Sequence, residues 1–302
     1  MLGFIKKEKV SILFAVVVCA VAVLCCVARY FPTNVGQIYD IDASSIATLE
    51  KKDALSFYNC ELDDQNNYTI LGGDPQIKFS SVANGIKAAK ENGIEVEFMH
   101  APFRRINPIW EPTLEGEKTL QELFDAVDFC EKHGIKALAC HVSSGVNPPN
   151  INDVGLLRFA RFIEYAKSKN VRTAFENQRK VSNIAYLFEK FPEITFCWDT
   201  GHEECFAGGT RFMPLFGEKL DIVHIHDNHK LPDGDDHMIP FDAEIDFERV
   251  AETLAKYELK NSVMLEVDNK PQFYAGVGPE EFFERAANAV RKIVEMIDAI
   301  KK

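Results

Sequence analysis

Positive charge is what this chain is short of. Its 302 residues carry 34 Lys and Arg against 46 Asp and Glu, a net charge of −12. Passive binding to a phosphate backbone needs a basic face, so nucleic acid is not an expected partner. A small anionic substrate held by a few Arg or Lys is still allowed. Patterned cysteine is also missing: the eight Cys show neither CxxC spacing nor a Cys/His finger. Cys19, Cys25 and Cys26 fall in an N-terminal apolar run. Cys60, Cys130, Cys140, Cys197 and Cys205 form an odd, irregularly spaced set, which reads as free thiols and excludes a disulfide framework. Finer repeats and low-complexity tracts are absent. With 46% hydrophobic and 26% charged residues, the composition is that of a globular protein with a large core.

One long apolar run is present. Residues 10–28, VSILFAVVVCAVAVLCCVA, contain a single polar residue, Ser11. As a helix the run spans ~28 Å, close to the ~30 Å hydrocarbon core of a bilayer. Lys6, Lys7 and Lys9 precede it and Arg29 follows. Residues 1–30 are therefore expected to form a transmembrane or signal-anchor helix, tethering a domain of residues 31–302 to the membrane. Cys-Val-Ala before Arg29 leaves cleavage open. Leu24 and Val18 stand where a lipobox wants a small residue. The excess of Lys before the run places the N-terminus in the cytoplasm and the domain outside; the free thiols argue for the opposite side.

Beyond a linker at 29–37, apolar runs end repeatedly in a residue that can bind a metal. IEVEFMH ends at His100, IKALACH at His141, VRTAFE at Glu176, EITFCWD at Asp199 with His202 just beyond, and SVMLE at Glu266. DIVHIHD contains His224 and His226, and Asp235 and His237 lie in the next loop. The pace is that of a βα repeat. A (β/α)8 TIM barrel spends roughly 250 residues on eight such units and carries its active site on the loops after the strands. The fold expected is thus an α/β TIM barrel, with strands near 37–41 and 54–59, a polar loop at 61–77, and then strands ending at His100, His141, Glu176, Asp199, Asp227 and Glu266. Helices are expected over SSIATLEKK, over SVANGIKAAKENG, around Leu120–Cys130 stopping at His133-Gly134, and around Leu156–Ala166 with Leu156, Leu157, Ala160, Phe162 and Ile163 on its apolar face. A short one follows near FMPLFGEKL, then FERVAETLAKY, then a last helix opened by Gly278-Pro279.

Carboxylates and imidazoles without thiolates suit Zn²⁺, Mn²⁺, Mg²⁺ or Co²⁺. A carboxylate at the inner end of an apolar strand is costly unless something neutralises it, and a divalent metal ion would. His224 and His226, two apart on one strand, can both face the barrel mouth. Arg104, Arg105, Arg179 and Lys180 follow strand-end residues and are candidates to grip an anionic substrate. His133 ends a helix, where cations are favoured, and His229 is expected at the surface. Cys140 should point into the helix layer and Cys197 lie beneath the site. Trp110 and Trp198 are read as core residues or as an apolar wall.

The ordered set MHAPF, CHVSSG, FENQR, CWDTGH, HIHDN, DDHMIPFD and LEV resembles the xylose-isomerase-like barrel superfamily, over about residues 80–295. That group holds sugar-phosphate isomerases and epimerases and the endonuclease IV nucleases. In the epimerase-type members one metal is held by a Glu, an Asp, a His and a second Glu, which the motifs carry onto Glu176, Asp199, His224 or His226, and Glu266. The resemblance further implies substrate contact at His202. In the nuclease branch the counterparts of His100, His141, His202, Asp235 and His237 join a three-zinc set. A loop that usually reads Pro-Gly-x-Gly is PFDAEID at 240–246, without glycine. The function expected is a divalent-metal-dependent isomerase or epimerase of a small sugar or sugar phosphate, with Glu176 and Glu266 as its acid–base pair. The alternatives are an endonuclease IV-like phosphodiesterase and a membrane-tethered, non-catalytic sugar-binding barrel. Homo-oligomerisation is left open by the sequence.

Overall fold

Strands buried on both faces organise the chain. The computed structural model describes residues 29–30, 39–42, 60–62, 67–70, 86, 96–103, 105–259 and 261–302. Four short strands come first: β1 (Arg29–Tyr30), β2 (Tyr39–Asp42), β3 (Cys60–Leu62) and β4 (Asn67–Ile70). Five follow at the pace of a βα repeat: β5 (Phe98–His100), β6 (Ala137–Cys140), β7 (Arg172–Glu176), β8 (Thr195–Asp199) and β9 (Leu220–His224). These five lie side by side, parallel and in chain order. Their register aligns His100 with Ala139, Glu176 with Cys197, and Asp199 with His224, so the polar strand ends gather at one edge. Sequential parallel strands covered by helices are the signature of a TIM-barrel-like α/β fold.

The helices form where their caps and stripes direct. Helix α1 (Leu114–His133) starts on Thr113, whose side chain accepts from Gly116 N, and stops at Gly134, held at φ 76°. That left-handed turn suits glycine. Helix α2 (Asp153–Ser168) is capped by Asn152 and buries Phe159, Phe162, Ile163 and Ala166. Leu157, expected on this face, is 68% exposed, because at 100° per residue it falls off the stripe that Phe159 belongs to. Helices α3 (Val181–Lys190), α4 (Thr200–Cys205), α5 (Met213–Phe216), α6 (Phe247–Lys256), α7 (Pro271–Tyr274) and α8 (Pro279–Ile300) complete the layer.

The N-terminal part departs from the expected eight-strand circuit. β2 overlaps the strand expected near 37–41, yet it pairs antiparallel with β4, which also pairs antiparallel with β3. Two strands therefore occupy the stretch expected to be a polar loop. β1 runs parallel to β10 (Asp268–Asn269). The strand expected to end at Glu266 is reduced to one parallel bridge, Leu265 to Ile225. Beyond Ile225 the backbone leaves that ladder, since Asp227 and Met238 exchange N–H···O bonds of 2.8 and 2.9 Å. Among the described residues the barrel is a contiguous five-strand arc extended by this bridge. The expected strand at 54–59, the helix over 44–52 and the apolar run at 10–28 lie outside the described residues, and only Ile86 of the second helix is described. No helix among the described residues is long and apolar enough to cross a membrane.

Candidate metal centre

Glu176 is the hub of the strand-end cluster. Its carboxylate is buried, 1% exposed, and four imidazoles surround it. Oε2 lies 2.7 Å from His141 Nε2 and 3.2 Å from His100 Nε2. Oε1 lies 3.0 Å from His202 Nδ1 and 3.2 Å from His224 Nδ1. Burial pushes the carboxyl's pKa up, but the charges of His141, His224 and His202 outweigh it and hold the group well below the usual range. Burial likewise pulls His224 and His202 down, but Cys197, Glu266 and Glu176 reverse this at His224 and Asp199, Asp235 and Glu176 at His202, so both are raised. His141 stays on the lowered side, because for it desolvation outweighs Glu176.

Asp199 carries two tasks at the end of β8. Its Oδ1 caps α4 by accepting from His202 N at 2.6 Å, while Oδ2 is buried without a hydrogen-bond partner. Glu266 Oε2 is likewise without a hydrogen-bond partner, its near neighbour being His224 Nδ1 in an ion-pair contact at 2.9 Å. Ligand atoms of Glu176, Asp199, His224 and Glu266 lie within 4.8 Å of one another. Orphaned buried carboxylate oxygens are expensive, and a divalent cation among these four would satisfy them. Three oxygen ligands and one imidazole fit Mn²⁺, Zn²⁺, Mg²⁺ or Co²⁺ equally in softness.

A second group adjoins the first. Asp235 is pushed up by burial but held well below its usual range by His237 and His202. His237 Nε2 is 3.0 Å from Asp235 Oδ2, and the pairing overcomes burial to raise His237 to about 9. His226 Nε2 sits 3.2 Å from Asp199 Oδ1 and 3.6 Å from Asp235 Oδ1, with its ring stacked on His237 at 4.3 Å. His226 thus joins the two groups, while His224 is the member of the pair beside Glu176 and Glu266.

The remaining expected residues divide. Arg179 stands at the rim, its guanidinium 3.6 Å over the Phe206 ring, which stacks on His202 at 4.4 Å. Arg105 is not brought in; it pairs at the surface with Glu122 and Glu115. Arg104 lies outside the described residues. Lys180 Nζ donates to Pro148 O. Trp110 and Trp198 are core residues, donating to Val142 O and Glu203 Oε2. Cys140 and Cys197 are buried, and burial pushes the Cys197 thiol up to about 12.

Several residues of the centre carry no signal of their own in the sequence. Asn177 clamps the Asp199 backbone, accepting from its N at 2.7 Å and donating to its O at 2.9 Å. The Gln178 amide lies 3.2 Å from both His141 Nε2 and His202 Nδ1. Phe103 packs against His141 and His100, with ring centroids 4.6 and 5.0 Å apart. Asp227, buried, accepts from Asn228 N, Ala243 N and Ile245 N and so fixes the glycine-free loop. Reading FENQR as a unit could have flagged Asn177 and Gln178; nothing separates Phe103 or Phe206 from ordinary core aromatics.

The family described as Xylose isomerase-like TIM barrel matches residues 63–300. The chain belongs to this family. A relative, the uncharacterized protein y4fM of Sinorhizobium fredii (strain NBRC 101917 / NGR234), is 21% identical over 311 residues, covering 90% of this chain and 95% of the relative. Among solved structures, a D-psicose 3-epimerase from Clostridium cellulolyticum H10 with D-tagatose superposes with TM-score 0.59 at 12% identity, over 72% of this chain and 83% of its own. A D-tagatose 3-epimerase-like protein gives 0.58 at 14%, over 74% and 88%. An IOLI protein with a bound zinc atom gives 0.57 at 16%, over 70% and 80%. At these identities the likeness is one of fold.

Proposed function

We propose that the chain is a divalent-metal-dependent isomerase or epimerase of a small sugar or sugar phosphate. The observation that carries the reading is the quartet of buried Glu176, Asp199 and His224 with half-buried Glu266, in which Asp199 Oδ2 and Glu266 Oε2 have no hydrogen-bond partner. The family's resemblance to epimerases and isomerases supports the same class. When bound, the metal would polarise the substrate carbonyl and stabilise the charge that develops on its oxygen.

The protein's own part is proton transfer. Glu176 ends β7, Glu266 follows the Leu265 bridge, and both approach the same His224 Nδ1, at 3.2 and 2.9 Å. One would take the proton next to the carbonyl and the other return it, to the adjacent carbon or the opposite face. His202 and Gln178 stand beside Glu176 and would orient substrate hydroxyls. Phe103 and Phe206 wall the site and exclude water. Incubating metal-loaded protein with a panel of aldoses, ketoses and their phosphates, and following carbon-bound hydrogen exchange by NMR, tests the reading. Absence of exchange with every member would count against it.

A second reading has its own observation. His100 and His141 around Glu176, and His202, His226 and His237 around Asp235, offer ligands for further ions, as a phosphodiesterase of the endonuclease IV type would use. The net charge of −12 argues against a DNA substrate. Metal-dependent cutting of an abasic-site duplex at enzyme-like rates would reverse the ranking. We also propose that residues 10–28 anchor the chain in a membrane with the barrel outside the cytoplasm; external protease should then digest the barrel in intact cells, and full protection until lysis would overturn that orientation.

A further inference from the structure

We propose that Arg179 is the anchor for an oxyanion carried by the substrate, and that Asp233 holds the oxyanion's place when no substrate is bound. The inference rests on the sugar reading above and narrows it to an anionic sugar. Arg179 follows the hub Glu176 by three residues, where the chain leaves β7 at the barrel mouth. Its guanidinium is stacked over Phe206 at 3.6 Å, Phe206 on His202 at 4.4 Å, and His202 Nδ1 reaches Glu176 Oε1 at 3.0 Å. The cation therefore stands two ring layers from the carboxylate hub.

Stacking on Phe206 restrains the guanidinium plane and leaves the fork's N–H groups free to donate. The fork is made to bind two oxygens of one oxyanion side by side. Here Nε and Nη2 both donate to a single oxygen, Asp233 Oδ1, at 2.9 and 2.6 Å. The Asp233 side chain is 56% exposed against 18% for Arg179, so the half that can be displaced is the carboxylate. Exposed ion pairs of this kind are weakly held. Among the described residues, two other cations near the mouth are engaged with backbone oxygens: Lys180 Nζ with Pro148 O, and Lys270 Nζ with Asp235 O and Asp236 O. A mouth lined by Glu176, Asp199, Asp235 and Glu266 would otherwise repel an anion, and Arg179 supplies the attraction at a point beyond those carboxylates.

The test uses the full chain loaded with Mn²⁺ and calorimetric binding of three probes: a pentulose 5-phosphate, a hexuronate and the neutral pentulose. The phosphate and carboxylate arms distinguish the two sources of oxyanion. An anionic probe should bind more tightly than the neutral one. Arg179→Gln should weaken its binding by about tenfold or more, the effect of losing one charge-assisted contact, and leave the neutral sugar unchanged. Arg179→Lys, keeping charge without the fork, should fall between. Asp233→Asn should tighten the anionic probe severalfold by removing its competitor. Weaker anion binding in Asp233→Asn, or an unchanged anionic-to-neutral ratio in Arg179→Gln, would overturn the proposal. Anion preference without hydrogen exchange would sink the isomerase reading and leave the anchor standing. Hydrogen exchange with the sugars, together with unchanged binding of the anionic probes in Arg179→Gln, would do the reverse.

Discussion

Gly201 lies so close to His226 that a single methyl should be felt across the centre. A Cβ at position 201 would sit 1.8 Å from His226 Cε1, 2.2 Å from Nε2 and 2.6 Å from Nδ1, where carbon contacts normally settle near 3.5–4.0 Å. Neither partner can retreat cheaply. Thr200 Oγ1 donates to the carbonyls of His224 and His226, both at 3.3 Å, and Asn228 Nδ2 donates to Gly201 O at 3.1 Å. On its other side the His226 ring is stacked against His237 at 4.3 Å with 9° between planes. Overpacking of a fixed core costs about 1–3 kcal/mol, and this site belongs at the upper end. With roughly 2–4 °C lost per kcal/mol in a large domain, Gly201→Ala should lower the Tm by about 6–12 °C. The decisive variant is Gly201→Ala combined with His226→Ala. Once the ring is gone the methyl has room, so the double variant should be no less stable than His226→Ala alone, a coupling of about 2–3 kcal/mol. Thermal and urea unfolding of the three variants give the cycle. Costs that simply add, within about 0.5 kcal/mol, would refute the packing argument.

Further expectations follow from the same geometry. Glu176→Gln and Glu266→Gln should each lower turnover by at least ~10²–10⁴-fold, as removal of a general acid–base group does, with circular dichroism reporting an intact fold. His237, raised to about 9 by Asp235 despite burial, gives the metal-free protein a contribution to stability. It is complete below the unfolded value near 6.5 and lost as pH rises towards about 9. Urea unfolding across that window should show the loss. Binding of Zn²⁺ or Mn²⁺, which needs neutral imidazoles, should release protons, seen as a calorimetric heat that changes with buffer. Tyr274 OH accepts from Ile239 N at 2.7 Å and donates to Asp242 Oδ2 at 2.9 Å. Tyr274→Phe should therefore cost about 1–3 kcal/mol in urea, the penalty of an orphaned buried N–H; an unchanged midpoint would mean that the loop finds another acceptor.

The sequence was most legible where an apolar run met a polar residue. His100, Glu176 and Asp199 end β5, β7 and β8 as the runs predict, because a buried parallel strand must be apolar until it reaches the mouth. β6 stops at Cys140, one residue before His141. The antiparallel pairing of β2, β3 and β4 was not readable, since CEL and NYTI are short and polar and look like loop. Which cations reach the centre was equally hidden. Arg105 and Arg179 both follow strand ends closely, and only the three-dimensional course of the chain commits one to Glu122 and the other to Phe206 and Asp233. Asn177 and Gln178 escaped assignment because amides have no periodic signature. Their importance comes from hydrogen bonds across strands, to Asp199 and to His141 and His202.

The central claim is a metal-dependent proton transfer at Glu176, Asp199, His224 and Glu266. Its most direct test is hydrogen exchange in deuterated water, with a sugar or sugar phosphate that the protein isomerises, on one preparation before and after chelation and after return of Mn²⁺ or Zn²⁺. The account predicts incorporation of deuterium at the carbon next to the carbonyl, lost on chelation, restored by metal, and absent in Glu176→Gln and Glu266→Gln. Exchange that continues at full rate in metal-stripped protein, or in either variant with metal bound, would contradict it.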